Sequence, residues 1–384
     1  MGFDFAAPKR IIFGNGTVAE IGPIASQLGS KAFLATSAGR INQKVIEPLL
    51  EREGVAWHVF VVDGEPTIDL VQEGVAQAKR NGCDFVIGYG GGSAIDTGKA
   101  VSAMMTNPGT LLDYLEVVGK NQPLVFQAAP FIAVPTTAGT GSEVTRNAVL
   151  SVPEKRFKVS LRSPLILASV AIVDPELTYS MPPNVTASTG LDALTQVIEP
   201  YVSLKASPMT DMFCREGIQR ISRSVVRAYQ NGSDVLARED MAWGSLLGGL
   251  SLANAGLGAV HGFAAPIGGM FTAPHGAVCA SLLPGVVRMN IRALRQRFPD
   301  SKALIRYDEI AQIMSQTEKA KGDDAVKFLQ ELNAALHIPR LSDFGITPAD
   351  VPQIVEKAAI ASSMKANPIQ LTAEELSEIL FEAL

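Results

Sequence analysis

Apolar positions over the first 180 residues follow two alternating rhythms. Short runs rich in β-branched and aromatic residues, "KAFLAT" (31–36), "WHVFVV" (57–62), "FVIGYG" (85–90) and "FIAVPT" (131–136), predict strands. Between them, "INQKVIEPLLEREG" (41–54), "IDLVQEGVAQAKRNG" (68–82) and "SAIDTGKAVSAMMT" (93–106) repeat apolar residues at helical spacing, and glycine closes the first two. Strand and helix in alternation predict a largely parallel sheet covered by helices. The opening "KRIIFGNGT" (9–17) reads as a strand without a crossover helix, which assigns it to a sheet edge or to a pairing with another subunit.

The rhythm changes after "ELTYSMPP" (176–183), where a double proline blocks helix continuation. From Asn184 onward only helical periods remain, as in "MTDMFCREGIQRISRSVVRAYQ" (209–230), "AREDMAWGSLLGGLSLANA" (237–255) and "TAEELSEILFEAL" (372–384). The prediction is an α/β domain over 1–182 and an all-helical domain over 183–384. A length of 384 residues agrees, because it exceeds what one core fills comfortably.

Composition narrows the function classes. Net charge is −5 and no basic run is interleaved with aromatics, so no nucleic-acid partner is expected. Asp4 interrupts "MGFDFAAPKR" where a secretory signal needs an apolar core, and Ala6 stands where myristoylation needs Ser or Thr. No apolar run approaches the roughly 20 residues of a membrane span. The expectation is a cytoplasmic chain with no membrane partner. Cys83, Cys214 and Cys279 are scattered and odd in number, which fits structural thiols in a reducing compartment. Cys279 stands apart because it lies four residues past His275.

Two loops carry candidate nucleotide chemistry. "FVIGYGGGSAIDTGKA" (85–100) runs strand, glycine turn, helix, an order that lets backbone amides and a helix N-terminus meet phosphate. It misses G-x-G-x-x-G by Ser93, and a P-loop by Ser93 and Ala100. A tight turn of purely structural purpose therefore stays open beside a phosphate site built from Gly91, Gly92, Ser93 and Asp96. "PTTAGTGSEVT" (135–145) follows another strand, and Thr136, Thr137, Thr140 and Ser142 can donate to phosphate, ribose or nicotinamide. Two such loops at strand ends predict a nucleotide in the crevice there. The strand "KAFLAT" ends in "SAGR", so Ser37 and Arg40 occupy the neighbourhood where an NAD-binding sheet often offers a carboxylate to the ribose. That substitution predicts acceptance of NADP as well as NAD.

The second half offers a metal set. His261 and His275 are separated by Pro266, Gly268, Gly269 and Pro274, which predicts a helix, a bend and a new helix with the imidazoles converging across it. Asp192 and Gln196 stand four apart on one helical face. One carboxylate, one amide oxygen and two imidazoles suit a divalent first-row ion. Phe263, Met270 and Phe271 are candidates for an apolar pocket wall or for core.

Taken together, "GGGSAIDTGKA", "PTTAGTGSEVT", "VDPEL" (173–177), "GLDAL" and "H…PHG" resemble, in order and spacing across essentially the whole chain, the iron-containing (group III) alcohol dehydrogenases. The resemblance implies a Rossmann-like dinucleotide-binding domain, a helical metal-binding domain of the dehydroquinate synthase-like type, and the metal in the cleft between them. It implies NAD or NADP, a divalent ion such as Fe2+ or Zn2+, an alcohol or aldehyde substrate, and a homodimer formed through the N-terminal strand. Asp192, His261 and His275 match three of the family's four ligand positions. Gln196 stands where the fourth is usually histidine, and Ala265 where another active-site histidine is common. Lys158 in "KRFKVSL" (155–161) matches a cleft lysine that could contact ribose, phosphate or a substrate carboxylate. The implied activity is metal-assisted, reversible oxidation of an alcohol by hydride transfer. A metal-free reductase of the maleylacetate type and an inactive nucleotide-binding homologue remain as alternatives at this level.

Overall fold

The computed structural model describes residues 2–37 and 43–384, and the chain in it divides into two compact units. One comprises residues 6–137 and 141–179; the other comprises 180–384, with the chain's first residues up to Phe5 and the short return 138–140.

The first unit alternates strands with helices: β1 (Arg10–Phe13), α1 (Ile21–Leu28), β2 (Lys31–Ser37), α2 (Gln43–Arg52), β3 (Ala56–Val62), α3 (Ile68–Arg80), β4 (Phe85–Gly90), α4 (Gly92–Thr106), the short α5 (Leu111–Tyr114) and β5 (Phe131–Pro135). A hairpin, β6 (Asn147–Val152) and β7 (Phe157–Arg162), precedes β8 (Val170–Val173). The sheet order is β1-β8-β5-β4-β2-β3, with every pairing parallel. The opening strand therefore lies at an edge, beside β8. All six positions of β4 are buried, which accounts for its continuous rather than alternating apolar run. From β2 the chain moves outward to β3, and from β4 it moves the other way to β5, so the topological switch point falls between β2 and β4.

Asp174 of "VDPEL" has a structural role. Its carboxylate accepts N–H groups from Gly16, Val18 and Glu176 at 3.0–3.1 Å, tying the segment after β1 to the end of β8. The hairpin is independent of the main sheet and has its own alternating burial, with Ala148, Leu150 and Val152 inward.

The second unit is helical: α6 (Pro183–Val202), α7 (Pro208–Gln230), α8 (Val235–Ala255), α9 (Ala259–Met270), α10 (His275–Arg297), α11 (Lys302–Ser315), α12 (Gly322–Ala335), α13 (Val351–Ala359) and α14 (Ala373–Ala383). Proline opens α6, where its missing N–H has no helical partner to lose. α6 is the central rod, buried without interruption from Gly190 to Val202 and packed against α7, α8 and α10. Glycine lets these helices approach. A Cβ at Gly217 would sit 2.7 Å from Val197, and one at Gly244 would sit 2.4 Å from Ile221.

Two sequence expectations are adjusted here. Pro266, Gly268 and Gly269 do not break the chain, since α9 runs through them to Met270, held by the burial of Phe263, Ala264 and Ile267. α10, at 23 residues, is long and apolar enough to cross a bilayer by length and composition, although no such run was expected. The protein core surrounds it: 83% of its most apolar window is buried, which is how a central helix of a large unit satisfies the same pattern.

Candidate metal and nucleotide sites

In the helical unit, α6 presents Asp192, Gln196 and Glu199 at i, i+4 and i+7, on one face. His261 lies in the first turn of α9, and His275 is the first residue of α10. The expected helix, bend and second helix start are thus observed, and the imidazoles converge with ring centroids 5.4 Å apart. Asp192 Oδ1 stands 3.4 Å from His261 Nε2 and 3.7 Å from His275 Nε2. Cys279, one turn further along α10, brings its Sγ to 3.7 Å from His275 Nε2 and 4.0 Å from His261 Nε2. One donor atom from each of these four residues lies within 4.8 Å of the others.

The donor set fits a divalent metal ion by a further observation. Asp192 Oδ1 and Gln196 Oε1 are buried and find no hydrogen-bond partner. A buried carboxylate oxygen left without a donor is costly, and a cation amid two imidazole nitrogens removes that cost. Burial opposes ionisation of Asp192, yet His275, His261 and Gln196 hold its carboxyl below the usual range. Burial likewise opposes charge on His261, but Cys279, Asp192 and Glu199 raise its pKa well above the ordinary value. His275 is raised in the same way, by Cys279 and Asp192 against its burial.

Sequence reasoning missed Glu199. Its Oε2 accepts His261 Nδ1–H at 2.7 Å, which in the neutral imidazole directs the Nε2 lone pair toward Asp192. Its Oε1 accepts the Val260 N–H at 2.7 Å, capping the start of α9, while Asn367 Oδ1 accepts Ala259 N–H at 3.1 Å. Gly258 makes this possible, since a Cβ there would sit 2.9 Å from Glu199 Oε1. The available signal was a carboxylate seven residues after Asp192 in an otherwise apolar stretch. Ala265, Gly268 and Gly269 form a partly exposed small-residue face further along α9, whereas Phe263 is fully buried core rather than a pocket wall.

In the α/β unit the predicted nucleotide residues gather at the carboxyl ends of adjacent strands. Ser37 ends β2, Gly90 ends β4, and Thr136 and Thr137 follow β5. Ser37 and the glycine turn flank the switch point, and Ser37 Oγ accepts the Gly91 N–H at 3.4 Å. The glycines divide by role. Gly90 has φ 152° and would place a Cβ 2.3 Å from Ser37 Oγ, while a Cβ at Gly98 would sit 2.8 Å from Phe131, so both serve close packing. Gly91 differs: a Cβ there meets only Thr137, at 3.5 Å, and no side chain caps the start of α4, where Gly92 and Ser93 form the first turn. That open, uncapped helix N-terminus fits a phosphate.

Asp96 and Ser142 are joined to each other. Asp96 accepts Ser142 Oγ–H and the Val149 N–H, and pairs with Lys99 Nζ at 3.2 Å. Fully buried Lys99 also donates to Thr145 Oγ1 and Asn147 O, so this cluster clamps the second loop onto α4. Glu143 lies in the same region, and burial pushes its carboxyl up to about 7. Lys158, on β7, pairs with Glu65 at 3.0 Å with its side chain buried. Thr140 belongs to the short return grouped with the helical unit. Arg40 lies outside the described residues.

A parallel sheet of the nucleotide-binding type and a cluster of residues that could hold a metal ion are the parts a metal-assisted oxidoreductase requires. Residues 8–175 match the model of the iron-containing alcohol dehydrogenase family, and residues 186–384 match that of its C-terminal region. The chain belongs to the iron-containing alcohol dehydrogenases. It is 36% identical to a 1,3-propanediol dehydrogenase of Klebsiella pneumoniae, over 99% of this chain and 98% of the relative. A solved 1,3-propanediol oxidoreductase covers 100% of both chains with a TM-score of 0.92 at 34% identity. A sulfoacetaldehyde reductase of Bifidobacterium kashiwanohense, solved in complex with NAD+, has a TM-score of 0.87 at 28% identity, covering 100% of this chain and 99% of its own. The family uses NAD(H) and a divalent metal, and the chain is an alcohol oxidoreductase.

Proposed function

We propose that this dehydrogenase interconverts a small alcohol, primary or secondary, with its aldehyde or ketone, that it accepts NADP(H) as well as NAD(H), and that Asp192, Gln196, His261 and His275 hold its divalent ion, Fe2+ or Zn2+. The observation that carries the reading is the unpartnered Asp192 Oδ1, buried between two imidazole Nε2 atoms. When bound, the ion supplies Lewis acidity that makes a hydroxyl more acidic and polarises a carbonyl. Asp192 contributes the anionic donor, and Glu199 fixes the tautomer that leaves His261 Nε2 free to donate. The small face at Ala265, Gly268 and Gly269 leaves room for a substrate chain beyond the reacting carbon.

On the α/β unit, the uncapped start of α4 with Gly91 accepts the nucleotide's pyrophosphate, and Thr136 and Thr137 lie within the same set of strand ends. Ser37 at the switch point places a neutral hydroxyl where a carboxylate would repel a 2′-phosphate, which supports NADP(H). The outer edge of β1, which among the described residues pairs with β8 alone, supports a homodimer. A cytoplasmic location completes the reading, and the propanediol relatives support short alcohols as first substrates to assay.

Metal content by plasma mass spectrometry, measured beside steady-state rates, tests the reading. Wild type should retain the ion, whereas His275→Ala should lose it together with at least about a hundredfold in kcat, the scale of removing one major transition-state stabiliser. An active wild type as metal-free as the variant would overturn it in favour of a reductase working by hydrogen bonds alone.

A further inference from the structure

The resemblance to the iron-containing alcohol dehydrogenases implies a histidine at the fourth ligand position, and this chain carries Gln196 there instead. A neutral amide oxygen is a poor substitute for an imidazole toward Fe2+ or Zn2+. One helix away, α10 adds a donor of a different kind. Cys279 stands one turn after His275 on the same helical face, fully buried, with its Sγ turned to the two imidazole Nε2 atoms that face Asp192.

We propose that Cys279 ligates the ion as a thiolate, so that the strong donors are Asp192, His261, His275 and Cys279, and the Gln196 amide is the weakest of the group. The inference rests on the metal-assisted reading above. Geometry supports it: metal–nitrogen and metal–sulfur bonds of about 2.0–2.3 Å at tetrahedral angles separate the donors by roughly 3.3–3.6 Å. The four distances recorded among these donors are 3.4, 3.7, 3.7 and 4.0 Å. Those four need only a few tenths of an ångström of contraction around an ion, and the other two separations, Asp192 to Cys279 and His261 to His275, lie within 4.8 Å. Asp192 Oδ1, buried and without a hydrogen-bond partner, belongs to the same cluster.

The other two cysteines lack this setting. Cys83 Sγ lies 3.6 Å from the Ala32 carbonyl, and burial pushes the Cys214 thiol up to about 12. Ligation balances simply: the Cys279 S–H bond breaks as the sulfur–metal bond forms, and the proton passes to solvent buffer. A sulfur donor shifts the set toward Zn2+ and away from hard ions such as Mg2+.

Cobalt(II) added to the full-length metal-free protein reads the two questions separately. Visible ligand-field bands report that the ion is bound, and a near-ultraviolet sulfur-to-cobalt charge-transfer band reports a thiolate ligand. The proposal expects both in wild type. In Cys279→Ser, confirmed as folded by circular dichroism, it expects ligand-field bands without the charge-transfer band, and zinc affinity weakened at least about tenfold. Ligand-field bands with no charge-transfer band in wild type overturn Cys279 ligation and leave the metal centre standing. A charge-transfer band that persists in Cys279→Ser overturns it as well. Failure of wild type to bind cobalt at all overturns the metal reading itself. Because the wild-type spectrum alone can refute the proposal, a variant that fails to fold does not shelter it.

Discussion

Replacing Glu199 with Gln keeps the shape of the side chain and removes one acceptor. In wild type the two carboxylate oxygens serve different donors, Val260 N–H and His261 Nδ1–H, each at 2.7 Å. An amide offers one oxygen and one NH2 group for the same two positions. With its oxygen on Val260, the NH2 faces Nδ1, and the imidazole meets it only by moving its own proton to Nε2, where the lone pair is needed for metal. With its oxygen on Nδ1, the NH2 confronts the Val260 N–H, and a buried donor at the start of α9 is left unpaired. Either arrangement costs about 1–3 kcal/mol. That corresponds to a loss of metal affinity of roughly tenfold to a hundredfold. Loss of the negative charge beside the α9 N-terminus acts in the same direction. Competition with a chromophoric chelator gives the Kd, and kcat should recover when excess metal restores occupancy. A folded Glu199→Gln protein with a metal Kd within about twofold of wild type would refute the tautomer argument.

Ser37→Asp places a carboxylate at the carboxyl end of β2 and should move the ratio of kcat/KM for NADPH over NADH downward by roughly tenfold to a hundredfold, or about 1–3 kcal/mol. An unchanged ratio, or a wild type that does not use NADPH, removes Ser37 from cofactor selection. Gly91→Val suits the native φ of −74° and meets only Thr137, so the fold should persist while nicotinamide fluorescence titration shows the cofactor Kd raised at least about tenfold. An unaltered Kd would return the turn to a structural role. Burial pushes the Glu143 carboxyl from its ordinary 4.5 up to about 7, so the native state holds an extra proton between those values and its stability falls as pH rises through them. At about 1.4 kcal/mol per pH unit, wild type should lose roughly 2 kcal/mol relative to Glu143→Gln between pH 5.5 and pH 7. Urea unfolding at both values checks this, and a constant difference would contradict it.

Local patterning made much of the fold legible. The continuous apolar run of β4, the glycine turn and the helical periods after Asn184 each depend on neighbours a few residues away, and each is observed. The hairpin β6–β7 escaped because its strands pack apart from the parallel sheet that the alternation of strand and helix announces. Asp96 reads as a nucleotide contact in sequence, and in the structure it also joins Ser142, Val149 and Lys99, which ties the second loop and β6 to α4. Two of those partners are about fifty residues away, beyond the reach of spacing rules. Glu199 was hidden for the same reason: its proximity to His261 exists only once α6 and α9 have packed. Cys279 was visible as a position one turn from His275, but its direction needed the fold.

Helix α9 has two zones of unequal tolerance to change. Near its start a methyl group at Gly258 would collide with Glu199 and Asn367, and one at Gly262 would come within 2.6 Å of Met364. Past that point Ala265, Gly268 and Gly269 are only partly covered. The start of the helix is thus closely packed, while these three small residues further along it are partly exposed. On the function proposed above, residues 265, 268 and 269 are the positions at which substrate preference would drift by substitution while His261 keeps the orientation that Glu199 gives it.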